Sequence, residues 1–414
     1  MKLTASPSDI NVAAVIVGAS IAGCCTALKL AEKGIKVAII EKQPDQADDK
    51  PFKKMCSHLI HPPGVKTLAD FGLLTSLYEK GAQATYLDIE SEGNHIHYPF
   101  GQKADAANIE RRLLDPALRQ LTEQHPNITL YSGYRIQALN RSGKTITGLL
   151  AVSNKGEHIN FNCPLVIGAD GRKSKVAKLD HCQDKTIPNR RVALFSYFKT
   201  DTNLIQSTVW ALNKGEAYVA CFPNSNKLLL SCYIPESHFQ EIKHDAQSFY
   251  QKYVVNHVQQ YGFQVGEQVG ELFIAKDTAT LYRAPNSKGL AFVGDAFVAA
   301  DPLTGIGCSW AMSSAELLAN QVAPSLRQFV PEKHFQIKKI KPLDRAIQRY
   351  NRYHKLKFLL PAYLMAWLSL KGHWVFNRRI YGWMARFLGT GVALGNTSQQ
   401  DEKSTQKITS NELN

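Results

Sequence analysis

Gly294-Asp295 closes an apolar run, Leu290-Ala-Phe-Val293, and leads through Asp301-Pro302-Leu-Thr-Gly305-Ile306-Gly307 into a second apolar stretch from Ser309 to about Ala323. A carboxylate at the carboxyl end of a buried strand can accept hydrogen bonds from ribityl hydroxyls, in the crevice where open α/β sheets bind ligands. Gly305 and Gly307 let the backbone approach something flat. The helix expected after them would aim unpaired amide N–H groups and its positive dipole end at an anion lying there. Reduced flavin carries such a charge. Gly-Asp after a strand is equally an ordinary turn, so the stretch gains meaning only through partners elsewhere in the chain.

Three such partners precede it. Val12 to Val17 is a short β-branched run followed by Gly18-Ala-Ser20-Ile21-Ala22-Gly23 and a helical stretch, Cys24 to Lys33, which spells strand, tight turn and helix. A second strand, Lys36 to Ile40, ends in Glu41 with Lys42 beside it, where a carboxylate grips a ribose hydroxyl in a dinucleotide-binding βαβ unit. Ser20 stands where the middle glycine of G-x-G-x-x-G is usual, so any pyrophosphate must tolerate a small side chain at its closest approach. The next partner is Arg111-Arg-Leu-Leu-Asp115-Pro-Ala-Leu118. Leu114, Leu118 and Leu121 recur at helical spacing, which puts Arg111 at or just before a helix start, from where a guanidinium reaches phosphate. The last is the strand Leu165-Val-Ile-Gly168, which runs into Ala169-Asp170-Gly171, with Ser174 just beyond.

Taken in order, these segments resemble the group A FAD-dependent monooxygenases, the para-hydroxybenzoate hydroxylase-like oxidoreductases, over most of residues 12 to 350. The resemblance implies FAD as cofactor, with the Gly18, Ser20, Ile21, Ala22, Gly23 turn at its dinucleotide and Glu41 and Lys42 at the adenosine. It implies Arg111 near the pyrophosphate and ribityl, Asp170 and Gly171 on the adenine side, Gly294 and Asp295 at the ribityl and pyrophosphate, and Pro302, Gly305, Ile306 and Gly307 at the flavin ring. It further implies NADH or NADPH as a transient electron donor, O2 adding at the flavin C4a position to form a hydroperoxide, and hydroxylation or epoxidation of a hydrophobic or aromatic small molecule. His58, with His61 behind it, is the candidate base should the substrate need deprotonation. Two other activities use such a scaffold. Prenyl reductases resemble this chain at Pro302-Leu-Thr-Gly305 but carry a tryptophan where Tyr218-Val-Ala-Cys-Phe222-Pro223 has none, and Trp210-Ala-Leu-Asn lacks the second tryptophan of the halogenase motif.

At 414 residues the chain exceeds one ordinary core. The expected class is α/β: a Rossmann-like FAD-binding domain with a parallel sheet and helices (1–80, 101–184 and 276–345), interleaved with a mainly antiparallel β substrate domain (81–100 and 185–275). Alternating runs from Arg191, Ala217 and Lys227 are the expected antiparallel strands. A basic, Trp-rich helical segment (346–395) and a disordered tail (396–414) follow. Gly389-Thr-Gly391-Val-Ala-Leu-Gly395 follows a helix rather than a strand and is discounted as a nucleotide loop. The eight cysteines form no C-x-x-C pair and read as buried small hydrophobes in a reduced, cytoplasmic chain. Lys2 and Asp9 make a poor leader n-region. The thirteen histidines show no metal spacing.

The net charge of +14 is concentrated late: from Arg345 to Gln400 there are nine Lys or Arg and no acid, with Trp367, Trp374 and Trp383 among them. Phe358 to Leu370 is apolar but shorter than the roughly 20 residues a span needs. The expectation is peripheral contact of 345–395 with an anionic membrane surface, or closure of a substrate pocket by the same helix. No nucleic-acid-binding pattern appears.

Overall fold

The structure is a computed structural model that describes residues 8–44, 52–54, 56–91, 94–98, 106–201, 204–212, 216–276, 278–329 and 341–369. Its centre is a five-stranded parallel sheet in the order Leu290–Phe292, Val166–Gly168, Ala14–Val17, Val37–Glu41, Ile128–Ser132. The first four strands are buried almost throughout, as uninterrupted apolar runs must be when both faces of a sheet are covered. Ala14–Val17 has its successor on one side and Val166–Gly168 on the other. That reversal of strand order opens a crevice at the carboxyl ends. The turn after Val17, Glu41, Asp170 and Asp295 all lie at those ends.

Two helices begin earlier than the apolar pattern suggests. The first spans Ile21–Ala31 rather than starting at Cys24, because Gly18, at φ +106°, turns the chain so sharply that Ser20 is already the N-cap. It closes where Gly34, at φ +77°, lets the Lys33, Gly34 and Ile35 amides fold back onto Leu30 and Ala31 carbonyls. The other spans Gly307–Leu326 and continues past Ala323 through Pro324. So near the helix end, proline removes one hydrogen bond without stopping the chain. This helix and Ile21–Ala31 pack side by side over the parallel sheet.

The second large sheet has nine strands, with one path running Gln268–Ala275, Arg191–Lys199, Lys227–Pro235, Ala217–Asn224, Gln206–Leu212, Gln83–Ser91, Ala106–Asn108, Leu59–Ile60. All neighbours are antiparallel except Gln206–Leu212 with Gln83–Ser91. Leu59–Ile60 and Ala106–Asn108 thus carry chain from the expected FAD-binding part into this sheet. Alternation does the rest: Leu194, Val219, Leu230 and Cys232 pack on helices that contribute Ile242, Phe249 and Val254. Tyr218, Ala220, Phe222, Ser231 and Tyr233 face the opposite way, into a cleft. A smaller four-stranded sheet holds Ser8–Asn11, His158–Asn162, Thr145–Ser153 and Tyr134–Ser142. The class expected above is therefore the class observed: a parallel-sheet α/β unit with antiparallel sheets and C-terminal helices.

After the large sheet, helix Lys341–His354 passes through a π-helical turn, Lys355–Leu359, into Leu360–Ser369. Tyr350 ties it to the parallel sheet by donating its hydroxyl to the Phe292 carbonyl at 2.7 Å. Trp374, Trp383, the Gly389–Gly395 stretch and the tail lie outside the described residues. Among the described residues, no helix is long and apolar enough to cross a membrane.

Candidate active site

The tight turn leaves no room for side chains at its ends. A Cβ on Gly23 would lie 1.8 Å from the Gly18 carbonyl oxygen, and one on Gly18 would lie 2.7 Å from the Ala169 carbonyl oxygen. Ser20 itself adopts φ −105°, a conformation any residue accepts, so the departure from glycine costs the backbone nothing. Its hydroxyl instead accepts a hydrogen bond from Arg111 Nη2 at 2.7 Å. Glu41 is fixed by two amides, Ala19 N–H to Oε2 at 2.8 Å and Gln43 N–H to Oε1 at 3.0 Å. Its carboxylate is held at the strand end with lone pairs to spare.

Arg111 is the first residue of helix Arg111–Gln124 and is buried. Its guanidinium forks onto Asp115, Nε to Oδ1 and Nη2 to Oδ2, both at 2.9 Å. Arg112 is half-exposed and pairs with Glu110. Asp115 also accepts the Lys53 amide at 3.1 Å, and the Lys53 ammonium reaches Asp295 Oδ2 at 3.3 Å. One connected set of charges therefore joins the turn, the Arg111 helix and the Gly294–Asp295 corner. Opposite it, Asp170 Oδ2 accepts the Lys175 and Val176 amides at 2.6 and 3.1 Å, while Oδ1 is buried with no hydrogen-bond partner. Burial pushes this carboxyl above its ordinary range, against the pull of Ser174 and the two amides.

The Pro302–Thr304 turn is capped by Asp301, whose Oδ1 accepts the Leu303 amide at 3.0 Å, and closes at Gly305, φ +63°. Asp301 Oδ2 meets Arg191 Nη2 at 2.6 Å in an almost wholly buried pair, and Arg191 lies 5.7 Å from the Tyr218 ring centre. The large sheet thereby clamps the turn that precedes helix Gly307–Leu326. Between them is an apolar cleft lined by Leu59, Leu87, Val209, Phe222, Leu303 and Gly305 among others. His58, buried at φ +64°, accepts the Arg111 amide on Nδ1 at 3.2 Å, and its Nε2 contacts the Tyr197 hydroxyl. With Nδ1 accepting, the network assigns the ring proton to Nε2, which donates to Tyr197. His61 has its backbone amide on Ser309 Oγ at 2.9 Å.

These features fit FAD. The glycine cradle, a helix N-terminus beside it, an anchored carboxylate at the second strand and an orphaned buried acceptor at Asp170 are what a bound dinucleotide needs. Residues 11–334 match the FAD binding domain family, and the chain belongs to it, as a protein of the group A FAD-dependent monooxygenase type. It is similar to the squalene epoxidase ERG1 of Saccharomyces cerevisiae, 21% identical over 371 residues that cover 78% of this chain and 71% of that one. It is also similar to the squalene monooxygenase of Candida glabrata, 25% identical over 219 residues, 44% of either chain. The match to the latter thus spans less than half of that relative's length. The flavin-dependent brominase Bmp2 shares the fold, with a TM-score of 0.72 over 98% of this chain and 99% of its own at 15% identity.

Sequence reasoning passed over Lys53, Tyr197, Arg191 and Asp301, and placed Cys56 and Cys308 among the buried cysteines although both are partly accessible. Asp301 alone carried a local signal, as an acidic cap directly before proline. The others are paired across more than 100 residues of chain, which no periodicity reveals.

Proposed function

We propose that the protein is an FAD-dependent monooxygenase that draws electrons from NADH or NADPH and uses O2 to hydroxylate or epoxidise a hydrophobic or aromatic small molecule. The observation that carries this reading is the apolar cleft against the Pro302–Gly305 turn, in a chain of an FAD-binding family similar to squalene epoxidases over most of its length. FAD, when bound, supplies the redox chemistry and the reaction with oxygen. The residues that hold it in this reading are Gly18, Ser20, Ile21, Ala22 and Gly23 at the pyrophosphate, Glu41 and Lys42 at the adenosine, and Arg111, Asp170, Gly171, Gly294 and Asp295 along its length. Pro302, Gly305, Ile306 and Gly307 take the ring. The N-terminus of helix Gly307–Leu326, worth roughly half a positive charge, favours the anionic reduced ring, and the cleft's leucines and Phe222 keep water out.

His58 orients Tyr197 in this scheme: its Nε2–H fixes the phenol oxygen, leaving the phenol proton free to donate into the site. Residues 1–80, 101–184 and 276–345 form the cofactor part, and 81–100 with 185–275 wall the substrate. The chain is taken as cytoplasmic, with 345–395 resting peripherally on an anionic membrane surface. The exposed Tyr353, Leu356, Leu360 and Trp367 on the C-terminal helix support that contact, and loss of flotation with anionic vesicles at low salt would remove it.

The deciding experiment is turnover of the FAD-loaded protein with NAD(P)H under 18O2. A product carrying one labelled oxygen is expected. Turnover without oxygen, adding two hydrogens to an alkene, would replace this reading with reduction, and a bromide-dependent product would replace it with halogenation. His58→Ala should keep its FAD and lose about 100-fold in kcat if the ring serves the chemistry; unchanged turnover takes His58 out of it.

A further inference from the structure

Five of the cysteines, Cys24, Cys25, Cys163, Cys221 and Cys232, are buried, and burial pushes the thiols of Cys25, Cys163 and Cys232 up to about 12. Cys56, Cys182 and Cys308 are partly accessible. Cys182 stands beside Asp180, and burial together with that carboxylate pushes its thiol up to about 12 as well. Cys56 and Cys308 differ in having each other. Their sulfurs lie 3.8 Å apart although 252 positions separate them in the chain.

The surroundings of the two sulfurs are unequal. Cys56 Sγ accepts the His58 amide at 3.3 Å, while Arg111 Nη1 reaches Cys308 Sγ at 3.9 Å. The contact with Cys308 holds the Cys56 thiol well below its ordinary range, with His58 and the Arg111 charge adding to it against the opposing effect of burial, and the same contact together with burial holds Cys308 well above. With the His58 amide on Cys56 Sγ and the Arg111 guanidinium beside Cys308 Sγ, the pair is set to carry one thiolate, with the remaining thiol to follow it.

We propose that Cys56 and Cys308 form a redox-active thiol pair beside the FAD site, oxidised by hydrogen peroxide to a reversible disulfide. The Cys56 thiolate attacks one peroxide oxygen, the O–O bond breaks, and hydroxide leaves, giving a sulfenic acid at Cys56. The Cys308 sulfur, losing its proton, then attacks the Cys56 sulfur, and the sulfenic oxygen departs as water. In sum, two thiols and one peroxide give one disulfide and two waters. Two equivalents of a small-molecule thiol restore the pair by exchange, ending as their own disulfide. A disulfide needs the sulfurs about 2 Å apart, so they must close by somewhat less than 2 Å. The bond would tie the segment carrying Lys53 and His58 to the first turn of helix Gly307–Leu326, joining two sides of the site.

The test treats the full chain, FAD-loaded and FAD-free, with one equivalent of hydrogen peroxide, blocks remaining thiols and maps peptides without reduction. A Cys56–Cys308 linked pair lighter by two hydrogens, reversed by dithiothreitol, is expected. Cys308→Ser should stop at a sulfenic acid on Cys56 that dimedone traps. In untreated protein, alkylation of Cys56 should outrun that of Cys182 by about tenfold or more. Absence of the linked peptide in both forms, or Cys56 alkylating no faster than Cys182, overturns the proposal. So does Cys56 pairing with any cysteine other than Cys308.

Discussion

Arg111 meets two demands from one position. Its buried fork onto Asp115 neutralises a carboxylate inside the protein, and its remaining N–H groups point to Ser20 and Cys308 at the site. Taking away one member of such a pair leaves the other charged and buried, which costs more than the pair itself gains. Arg111→Met should therefore lower stability by about 3–5 kcal/mol in urea unfolding. Adding Asp115→Leu should recover much of that loss, because no charge is then stranded, while FAD binding stays weakened. If both variants are equally unstable, Arg111 contributes through packing alone. The place of Arg111 at a helix start was legible from the helical spacing of Leu114, Leu118 and Leu121. The Asp115 fork was hidden, since an i, i+4 pair reads the same whether buried or in water.

At the scale of elements, four of the five strands of the parallel sheet were legible to within two residues because short apolar runs with flanking glycines or acids admit few alternatives, whereas the edge strand Ile128–Ser132, half-exposed beyond Ile128, carries no such run. Two helix starts were not legible, because they depend on turn geometry: Gly18 in its positive-φ conformation moves the first helix forward by three residues. The C-terminal helix shows a different blind spot. His354 is buried between Phe297, whose ring centre is 4.1 Å away, Tyr350 and Phe358, with Nδ1 unpartnered. Burial holds its imidazole down to about 3. The unfolded chain takes up this proton near pH 6.5 while the folded chain cannot until about pH 3. Its stability contribution is thus fully present above pH 6.5 and lost as pH falls toward 3, with a limiting slope of about 1.4 kcal/mol per pH unit. His354→Leu should flatten that acid slope, measured by denaturant midpoints from pH 7 to pH 4. An unchanged slope would mean that the ring reaches water in the folded protein.

For the molecule as a whole, what positions the chemistry is the meeting of two sheets built on different periods. The parallel sheet brings Gly18, Glu41, Asp170 and Asp295 together at its carboxyl edge, and this much follows from strand order once the strands are found. The cleft follows from alternate residues of the large sheet, Tyr218, Ala220 and Phe222 on one strand and Ser231 and Tyr233 on the next. Alternation says that such residues share a face, yet not which face meets the Pro302 turn; the buried Arg191–Asp301 pair makes that choice, and its partners are 110 residues apart. Because one strand face lines the cleft and the other packs on helices, substrate capacity can be altered without touching the cofactor cradle. Ala220 is the smallest of these cleft residues. Ala220→Phe would place a ring between Phe222 and Tyr218 on the cleft face, so kcat/KM for the hydrophobic substrate should fall by about 10–100-fold, in keeping with misplacement of a reacting atom by an ångström or so. FAD affinity, followed by flavin fluorescence, should stay within about twofold, since Gly18, Glu41, Arg111 and Asp170, assigned to the dinucleotide, do not line the cleft. If FAD affinity falls along with kcat/KM, the cleft and the cradle are one cavity, and the sheet face that walls the substrate also supports the flavin.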